Sequence, residues 1–467
     1  MAAIVEVGAE QFDVVVLGSG EAGKYLAWTL GADGRRVALI ETRYVGGSCP
    51  NIACLPSKNV IHSAKVAWYA HRLKEFGFEV TVPKVDMKVV RERKRTMVRE
   101  LVEVHNKRFA ANGVTFICGD GRFVGPREVV VTLQAGGTRQ ISGDTVIVST
   151  GSRAVVTDIP GLQEAEPMTH IEQLELDVVP ESLIVLGGGY IGLEFAQAMA
   201  RFGSKVTVVD RNARCLTHED EDVVRVLTDL LSKEGIEFKL GSTVESVTGR
   251  SGDAVEVILK TQERHETLRA THILAAVGRI PNTDSIGTQM AGIELTANGH
   301  IKVNEFLQTT AESVFAVGDC AGSPYFTHAA YDDFRIVYQS IQGHKRVTTG
   351  RQIPYTLFTD PELAHVGLHE DEAKRQGISY RLAKLPMAAV LRTRTLGETE
   401  GFLKALIGKD DRILGFTALG VGVGELLAPV QLVMNSGLPY TALRDLIVTH
   451  PTLSEGLVFL FASLGYK

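Results

Sequence analysis

The fold is decided by Phe12-Asp13-Val14-Val15-Val16-Leu17-Gly18-Ser19-Gly20-Glu21-Ala22-Gly23, in which an apolar run passes directly into three spaced glycines. A helical segment, Lys24 to Leu30, and a second apolar strand, Arg36 to Ile40, follow, and this strand ends at Glu41. The glycines permit a tight turn and let the backbone approach a pyrophosphate, whose charge is met by the helix N-terminus. The acid accepts hydrogen bonds from ribose hydroxyls. The pattern therefore predicts a βαβ unit that binds a dinucleotide.

The same pattern occurs a second time in the chain. A strand, Ser182 to Leu186, leads through Gly187-Gly188-Gly189-Tyr190-Ile191-Gly192 into a helical segment, Leu193 to Phe202. The next strand, Lys205 to Val209, ends at Asp210. One glycine fingerprint is weak evidence because many tight turns look alike, but two complete copies with strand, helix and terminal acid are strong. We therefore predict an α/β fold with two Rossmann-like dinucleotide-binding domains.

Two cysteines lie about thirty residues after the first fingerprint, in the run Gly46-Gly47-Ser48-Cys49-Pro50-Asn51-Ile52-Ala53-Cys54-Leu55-Pro56-Ser57-Lys58. They are open to three interpretations. Free cysteine is often a buried small hydrophobe, and a zinc pair would need a second Cys/His cluster, which does not lie nearby. Two thiols close to a flavin can instead cycle between dithiol and disulfide, and we favour this redox pair. The other three cysteines are scattered and are interpreted as core or incidental residues: Cys118, Cys215 and Cys320.

Length and composition limit the class of protein. A chain of 467 residues exceeds what one core usually covers, so two to four domains are expected. The hydrophobic content of 45% and charged content of 22% are those of an ordinary soluble protein. The net charge of −6 offers no basic face to nucleic acid, no apolar run is long enough to span a bilayer, and Met1 to Gln11 lacks the pattern of a targeting signal. We expect a cytoplasmic protein with no nucleic-acid, membrane or metal partner.

Two dinucleotide sites and a cysteine pair imply a relay, in which a nicotinamide delivers hydride to a flavin and the flavin passes the electrons to the disulfide. The sequence is similar over nearly its whole length to the class I pyridine nucleotide-disulfide oxidoreductases, the family of glutathione reductase, dihydrolipoamide dehydrogenase and mercuric reductase. Four further segments carry the resemblance: Ile147-Val148-Ser149-Thr150-Gly151-Ser152, Ala275-Ala276-Val277-Gly278-Arg279-Ile280-Pro281-Asn282, Ser313-Val314-Phe315-Ala316-Val317-Gly318-Asp319 and Thr359-Asp360-Pro361-Glu362-Leu363-Ala364-His365-Val366-Gly367. The first two resemble the family's domain crossovers, the third its second FAD motif, and the fourth the opening of its interface domain.

The resemblance implies a domain order, cofactors and a partner. The FAD-binding domain would comprise residues 1–155 and 276–350 and the NAD(P)-binding domain residues 156–275. An α+β dimerisation domain would comprise residues 351–467. The cofactors would be FAD and NADH or NADPH. The protein would form a homodimer that reduces a small disulfide or an oxidised sulfur species.

The resemblance also assigns the redox residues. Cys54 would be the charge-transfer thiol, because it lies at a predicted helix start where the helix dipole favours a thiolate, and Cys49 would be the interchange thiol that attacks substrate. Lys58 resembles the lysine beside the flavin N5, and Glu194 matches its carboxylate partner. Tyr190 matches the tyrosine that covers the flavin until nicotinamide arrives.

The C-terminal run Thr449-His450-Pro451-Thr452-Leu453-Ser454-Glu455 resembles the family's base motif. His450, oriented by Glu455, would take and return a proton at the interchange thiol of the other subunit. A set of further residues would bind the cofactors: Gly18, Gly20, Gly23, Glu41, Gly47, Ser48, Lys58, Thr150, Gly151, Gly187, Gly189, Tyr190, Gly192, Asp210, Arg211, Gly278 and Asp319. Among these, Asp319 would hold the ribityl chain.

The nicotinamide preference stays open. Asp210 at the second ribose position favours NADH, because it would repel a 2′-phosphate. Arg211, which follows directly, can instead clamp that phosphate, and Arg214 is near enough in sequence to help. We lean towards NADH.

Departures from the family pattern narrow the range of candidate substrates. The chain has no cysteine after Cys320 and keeps His450 where mercuric reductases usually carry tyrosine, and both features argue against mercury reduction. The segments Phe326-Thr327-His328 and Gly437-Leu438-Pro439-Tyr440 look most like the bacterial reactive-chlorine-resistance branch, which favours an oxidative-defence substrate. The alternatives are dihydrolipoamide dehydrogenase, a mercuric reductase-like activity, and a diaphorase that reduces quinones or oxygen with idle cysteines.

Overall fold

The computed structural model describes residues 9–79, 81, 84–261 and 264–465. The chain forms two compact units, each assembled from three segments. The first comprises the described part of Met1–Asn59 together with Arg91–Val155 and Gly278–Arg351, and the second comprises the described parts of Val60–Val90, Val156–Val277 and Gln352–Lys467. The division into domains expected from the sequence remains a prediction.

The first unit is built on a parallel sheet. Its strands, in spatial order, are Thr115–Gly125, Val37–Glu41, Glu10–Leu17, Thr138–Val148 and Val314–Ala316. Strands Thr115–Gly125 and Thr138–Val148 are longer than the parallel sheet. The additional residues of both pair in antiparallel orientation with strand Glu128–Leu133. Val14 and Val16 belong to the core on one face of the central strand, and Val15 and Leu17 belong to the core on the other. Burial on both faces explains why this strand reads as a continuous apolar run.

The remaining elements of the first unit are short strands and helices. Strands Ser152–Ala154 and Arg279–Pro281 form an antiparallel pair. The helices are Glu21–Ala32, Ser48–Asn51 and Thr327–Ile341, with 3-10 turns at Thr288–Ala291 and Gly318–Ala321. Two long helices, Cys54–His71 and Met87–Ala111, have residues in both units.

The described residues of the second unit form three sheets. A parallel sheet has the order His272–Ala275, Ser182–Leu186, Lys205–Val209, Glu237–Lys239. An antiparallel sheet consists of Thr243–Arg250, Ala254–Lys260 and His265–Ala270. The C-terminal region forms an antiparallel sheet with the order Tyr355–Leu357, Glu362–Gly367, Ile413–Gly420, Phe402–Ile407, Arg381–Pro386.

The helices of the second unit are His170–Gln173, Tyr190–Phe202, Glu221–Lys233, Glu370–Arg375, Leu391–Leu396, Leu427–Asn435, Thr441–Arg444 and Glu455–Ala462, with 3-10 turns at Leu73–Phe76, Met387–Ala389 and Val423–Leu426. The predicted α/β fold with two βαβ units and an α+β C-terminal region is confirmed. The fingerprint helices begin earlier than the sequence suggested, at Glu21 and at Tyr190. Each helix therefore starts inside its glycine turn, so its first N–H groups lie at the turn.

Candidate active site

The first fingerprint is a turn that only glycine fits. A Cβ atom on Gly18 would lie 2.3 Å from the Ser149 carbonyl oxygen, and one on Gly23 would lie 2.3 Å from the Gly18 carbonyl oxygen. Gly18 also has a φ of 96°, which disfavours any side chain. Strand, turn and helix are thus in close contact, and the helix N-terminus, where a phosphate is favoured, lies at the turn.

The predicted ribose acid, Glu41, lies at the end of its strand and is held by the fingerprint. Its Oε2 accepts hydrogen bonds from the Ser19 backbone N–H at 2.9 Å and from the Ser19 hydroxyl at 2.7 Å. Its Oε1 accepts from the backbone N–H groups of Arg43 and Tyr44, both at 2.9 Å. The carboxylate is therefore fixed in one orientation beside the glycine turn.

The cysteine loop packs on the same turn. A Cβ atom on Gly47 would lie 2.5 Å from the Gly20 Cα atom, so the two backbones touch. The Gly46 N–H donates to the Ser19 hydroxyl at 2.8 Å. The Asn51 side chain donates to the Val45 and Gly47 carbonyl oxygens at 2.9 Å and 2.7 Å. Ser48 begins the short helix that carries Cys49. The dinucleotide turn and the redox loop therefore form one rigid block.

The side chains of the two cysteines are hydrogen-bonded to each other. Cys54 is the first residue of helix Cys54–His71, as the sequence predicts, and Lys58 follows one turn later on the same face. The Cys54 Sγ lies 3.2 Å from the Thr327 hydroxyl. The hydrogen bond with Cys54, together with burial, raises the pKa of the Cys49 thiol well above its ordinary value. Cys49 therefore keeps its proton while the helix N-terminus favours negative charge on Cys54.

The second FAD motif places Asp319 in a 3-10 turn. Its Oδ2 accepts a hydrogen bond from the Ser152 hydroxyl, which in turn accepts from Arg279 Nε at 2.9 Å. Burial raises the pKa of Asp319. Among the crossover residues, the Thr150 and Gly151 carbonyl oxygens each accept from Asn282, both at 2.9 Å.

Gly278, which has a φ of 139°, accepts from the Val155 N–H at 3.0 Å through its carbonyl oxygen. Residues of the two crossover segments and Asp319 are thus brought together within the first unit.

In the second fingerprint, the first and last glycines make the same close backbone contacts as in the first. A Cβ atom on Gly187 would lie 2.5 Å from the Ala276 carbonyl oxygen, and one on Gly192 would lie 2.0 Å from the Gly187 carbonyl oxygen. A Cβ atom on Gly189 would meet no described atom within 4 Å. Asp210 accepts from the Gly188 N–H at 2.7 Å and from the Asn212 N–H at 2.8 Å. Arg211 is exposed beside it.

Tyr190 begins the second fingerprint helix, and its phenol donates to Glu219 Oε1 at 2.6 Å. Glu194, four residues along, is buried and accepts from the Phe358 N–H at 2.8 Å. In the C-terminal region, His450 Nδ1 lies 3.0 Å and 3.1 Å from the two Glu455 oxygens. The His450 side chain is 61% exposed, so its ring is accessible to another molecule.

Comparison with known proteins identifies the family. The model of the pyridine nucleotide-disulphide oxidoreductases matches residues 12–333, and the model of their dimerisation domain matches residues 353–460. The chain belongs to this family. The members are FAD-dependent enzymes that use NAD(P)H, and this chain is a flavoprotein disulfide reductase that forms a homodimer.

Individual relatives resemble this reductase over most or all of their length. It is 35% identical to the probable pyridine nucleotide-disulfide oxidoreductase RclA of Escherichia coli (strain K12), covering 97% of this chain and 99% of RclA. It is 34% identical to a dihydrolipoamide dehydrogenase of Chaetomium thermophilum, covering 95% and 89%. A solved structure titled HOCl-induced flavoprotein disulfide reductase RclA from Escherichia coli superposes with a TM-score of 0.88 at 35% identity, covering 97% and 100%.

The residues of this reductase fit both cofactors. The crowded glycines Gly18 and Gly23 allow the tight turn at the helix N-terminus that a pyrophosphate requires, and Glu41 is oriented for a ribose. The open position at Gly189, next to the oriented Asp210, suits a second dinucleotide. FAD would lie on the first fingerprint with Asp319, and the nicotinamide dinucleotide on the second.

The sequence did not indicate Thr327 as a neighbour of Cys54, nor Glu219 as a partner of Tyr190. Thr327 lies 273 residues after Cys54, so only the tertiary fold brings them together.

Cys215 and Cys320 are buried, whereas Cys118 is exposed. Within the described ranges, no group of three or more His, Cys, Asp and Glu side chains is arranged to hold a metal ion. No helix in the described part of the chain is both long and apolar enough to cross a membrane.

Proposed function

We propose that this enzyme reduces a small disulfide or another oxidised sulfur species through Cys49 and Cys54, in defence against oxidants. The observation that carries the proposal is the pair of hydrogen-bonded thiols packed on the first dinucleotide turn. The full-length similarity to RclA, whose solved structure is titled HOCl-induced, supports an oxidant-related substrate over lipoamide. We propose residues 1–155 and 276–350 as the FAD domain, 156–275 as the NAD(P) domain and 351–467 as the dimerisation domain.

Bound FAD supplies two-electron transfer between a nicotinamide and a neighbouring disulfide. The cofactor-binding residues proposed are those named from the two fingerprints, the crossovers and Asp319, with Gly47 and Ser48 of the cysteine loop. Lys58 is half-buried one helical turn beyond Cys54, where its ammonium would stabilise negative charge near the redox pair. Glu194, buried in the second unit, is its proposed carboxylate partner.

The thiol chemistry runs in two exchanges. For a disulfide substrate, His450, held by Glu455, takes the proton from Cys49, whose sulfur attacks one substrate sulfur, breaks the S–S bond and forms a mixed disulfide while the other half leaves as a thiolate. His450 returns the proton to the first thiol product. The Cys54 thiolate then attacks Cys49, closes the Cys49–Cys54 disulfide and releases the second thiol, which takes up a proton. The dithiol is restored by the two electrons of one NAD(P)H and a proton.

Because the His450 ring is exposed, it can serve the Cys49 of the partner protomer, and hybrid dimers test this arrangement. The Cys49→Ser and His450→Ala homodimers should each lose disulfide reduction by about 100-fold or more. A hybrid of the two variants, isolated with two different tags, should recover one working site. Cys118→Ser, at an exposed cysteine outside the site, is the control. A hybrid as inactive as its parents would contradict the shared site.

The substrate class is tested on the same proteins with glutathione disulfide, dihydrolipoamide, hypothiocyanite and mercuric ion. We expect the highest kcat/KM with an oxidised sulfur species, together with a long-wavelength absorbance on limited reduction that Cys54→Ser abolishes. An undiminished rate in Cys49→Ser would instead establish a diaphorase that reduces quinones or oxygen. Co-purification with a lipoyl-bearing protein would favour a dihydrolipoamide dehydrogenase.

A further inference from the structure

A buried carboxylate holds the phenol of Tyr190. Glu219 is 1% exposed, and its Oε1 accepts hydrogen bonds from the Tyr190 hydroxyl at 2.6 Å and from the Tyr355 hydroxyl at 2.7 Å. Distances this short are typical of hydrogen bonds to an ionised oxygen. Burial, followed by the charge of Glu219, raises the pKa of Tyr190, so the phenol stays a donor. One oxygen therefore fixes two tyrosines whose rings lie 5.7 Å apart.

Glu219 is in turn fixed by the C-terminal region. The Tyr355 hydroxyl lies 3.0 Å from His369 Nε2, and because it donates to Glu219 it accepts from this nitrogen. The His369 ring stacks on His365 at 3.6 Å. Burial, with the neighbouring His369, lowers the pKa of His365 to about 3, so the stacked pair does not carry two positive charges. The hydrogen-bonded chain from His369 through Tyr355 to Glu219 is thus anchored in packed residues.

The backbone at Glu219 is anchored as well. The next residue, Asp220, accepts from the Glu370 and Asp371 backbone N–H groups at 3.2 Å and 3.0 Å, and its Oδ2 lies 2.7 Å from Lys404 Nζ. Asp220 and Lys404 are both 2% exposed. The carboxylate therefore cannot follow the Tyr190 phenol if that side chain rotates. Rotation of Tyr190 must break the hydrogen bond.

We propose that Glu219 is a positioning residue that holds Tyr190 in its resting orientation and thereby sets how easily a nicotinamide enters. This inference rests on the proposed function together with the role that the family resemblance implies for Tyr190, which covers the flavin and moves when nicotinamide arrives. The second fingerprint alone does not indicate such a control. The carboxylate that supplies it lies nine residues beyond Asp210, and the tyrosine that shares it comes from the C-terminal sheet. The resting orientation of Tyr190 is then set by a carboxylate outside the fingerprint, whose backbone stays anchored through Asp220.

Calorimetric titration of the holoenzyme with tetrahydro-NAD, or with the NADP form if the enzyme prefers it, measures binding without hydride transfer. Tyr190→Phe removes the hydroxyl and keeps the ring, and Glu219→Gln replaces the charged acceptor with a neutral one. Each should lower the dissociation constant about three- to tenfold, which lies within the range expected for the net contribution of one hydrogen bond. The double variant should bind no more tightly than the better single variant, because both changes act on the same bond.

Tyr355→Phe is the matched control, because it removes the other hydroxyl at the same oxygen and leaves the Tyr190 bond in place. Its dissociation constant should not fall. Tyr190→Phe remains decisive if Glu219→Gln does not fold, since it leaves the carboxylate unchanged. An unchanged or higher dissociation constant in Tyr190→Phe, or additive effects in the double variant, would overturn the inference.

Tyr190→Ala separates this inference from the proposed function. If Tyr190→Ala changes nicotinamide binding while Tyr190→Phe and Glu219→Gln do not, the tyrosine lies on the nicotinamide path and only the role of Glu219 is wrong. If Tyr190→Ala also leaves binding unchanged, the proposed role of Tyr190 itself is wrong.

Discussion

The two dinucleotide fingerprints share one sequence pattern but differ in what surrounds them. At the first, the middle glycine, Gly20, is in contact with the backbone of Gly47 from the cysteine loop, and Ser19 ties that loop to Glu41. At the second, a Cβ atom on the equivalent Gly189 would meet no described atom within 4 Å. The same local motif is therefore enclosed in one unit and open in the other.

The difference matches the two proposed ligands. An enclosed turn suits a cofactor that stays bound through many reaction cycles, and an open turn suits a co-substrate that must enter and leave in each one. The spacing of the glycines does not distinguish the two ligands, because it specifies only the shape of the turn. The first turn is enclosed by the cysteine loop, in which Gly47 has a φ of 84° that favours glycine.

The largest expected effect comes from Gly23→Ala, whose added Cβ atom would lie 2.3 Å from the Gly18 carbonyl oxygen. Overpacking of this kind costs about 1–3 kcal/mol or more, and it would push apart the turn that receives FAD. We expect the purified protein to lose most of its flavin, measured as the ratio of flavin to protein absorbance. Gly192→Ala, the equivalent change in the second fingerprint, should retain flavin but lose reduction by NAD(P)H.

Gly125→Ala is the control in the first unit, because the nearest atom to its Cβ lies 3.4 Å away. It should keep full flavin content. Equal flavin loss in Gly23→Ala and Gly192→Ala would mean that the two fingerprints do not bind separate ligands.

A tenfold effect is expected at the second ribose position. Asp210→Ala removes the carboxylate beside the exposed Arg211, so the ratio of kcat/KM for NADH to that for NADPH should fall about tenfold, or ~1.4 kcal/mol. Asp210 also accepts from Gly188 and Asn212, so Asp210→Asn serves as the matched variant that keeps an acceptor without the charge. If the ratio is unchanged in both Asp210 variants, neither Asp210 nor Arg211 discriminates between the 2′-hydroxyl of NADH and the 2′-phosphate of NADPH.

The smallest effect is expected for Gly189→Ala. Its φ of −82° suits alanine and its Cβ atom has open space, so the unfolding temperature should stay within about 1 °C of the wild type. The KM for the nicotinamide should rise about threefold, because the methyl group would occupy space that a pyrophosphate uses. A large loss of stability would show that the second turn is as enclosed as the first.

Most of the fold could be predicted from local sequence patterns. The strand, glycine turn, helix and terminal acid of each βαβ unit lie within about thirty residues, so short-range geometry determines them, and the family, cofactors and fold class followed correctly. The sequence also predicted that a helix begins at the second cysteine, and helix Cys54–His71 does so. The helix starts at Glu21 and Tyr190 were placed too late, because glycine-rich turns do not show where helical hydrogen bonding begins.

Long-range contacts could not be predicted. Thr327 beside Cys54 and Glu219 beside Tyr190 and Tyr355 depend on how distant segments pack. Neither residue stands in a motif whose spacing reports a function. Gly47 was predicted to bind the cofactor, but its contact with Gly20 was not suggested by the spacing between the fingerprint and the cysteines.

The strand order of the first unit has a consequence for synthesis on the ribosome. The end of strand Thr138–Val148 pairs with Val314–Ala316, which is made about 165 residues later. At 5 to 20 residues per second, the nascent chain waits roughly 10 to 30 s for this partner. During that time Val146, Ile147 and Val148, each fully buried in the finished protein, form an open apolar sheet edge. Newly made chains should therefore depend on chaperones, or on slower translation, more than the stability of the completed fold would suggest.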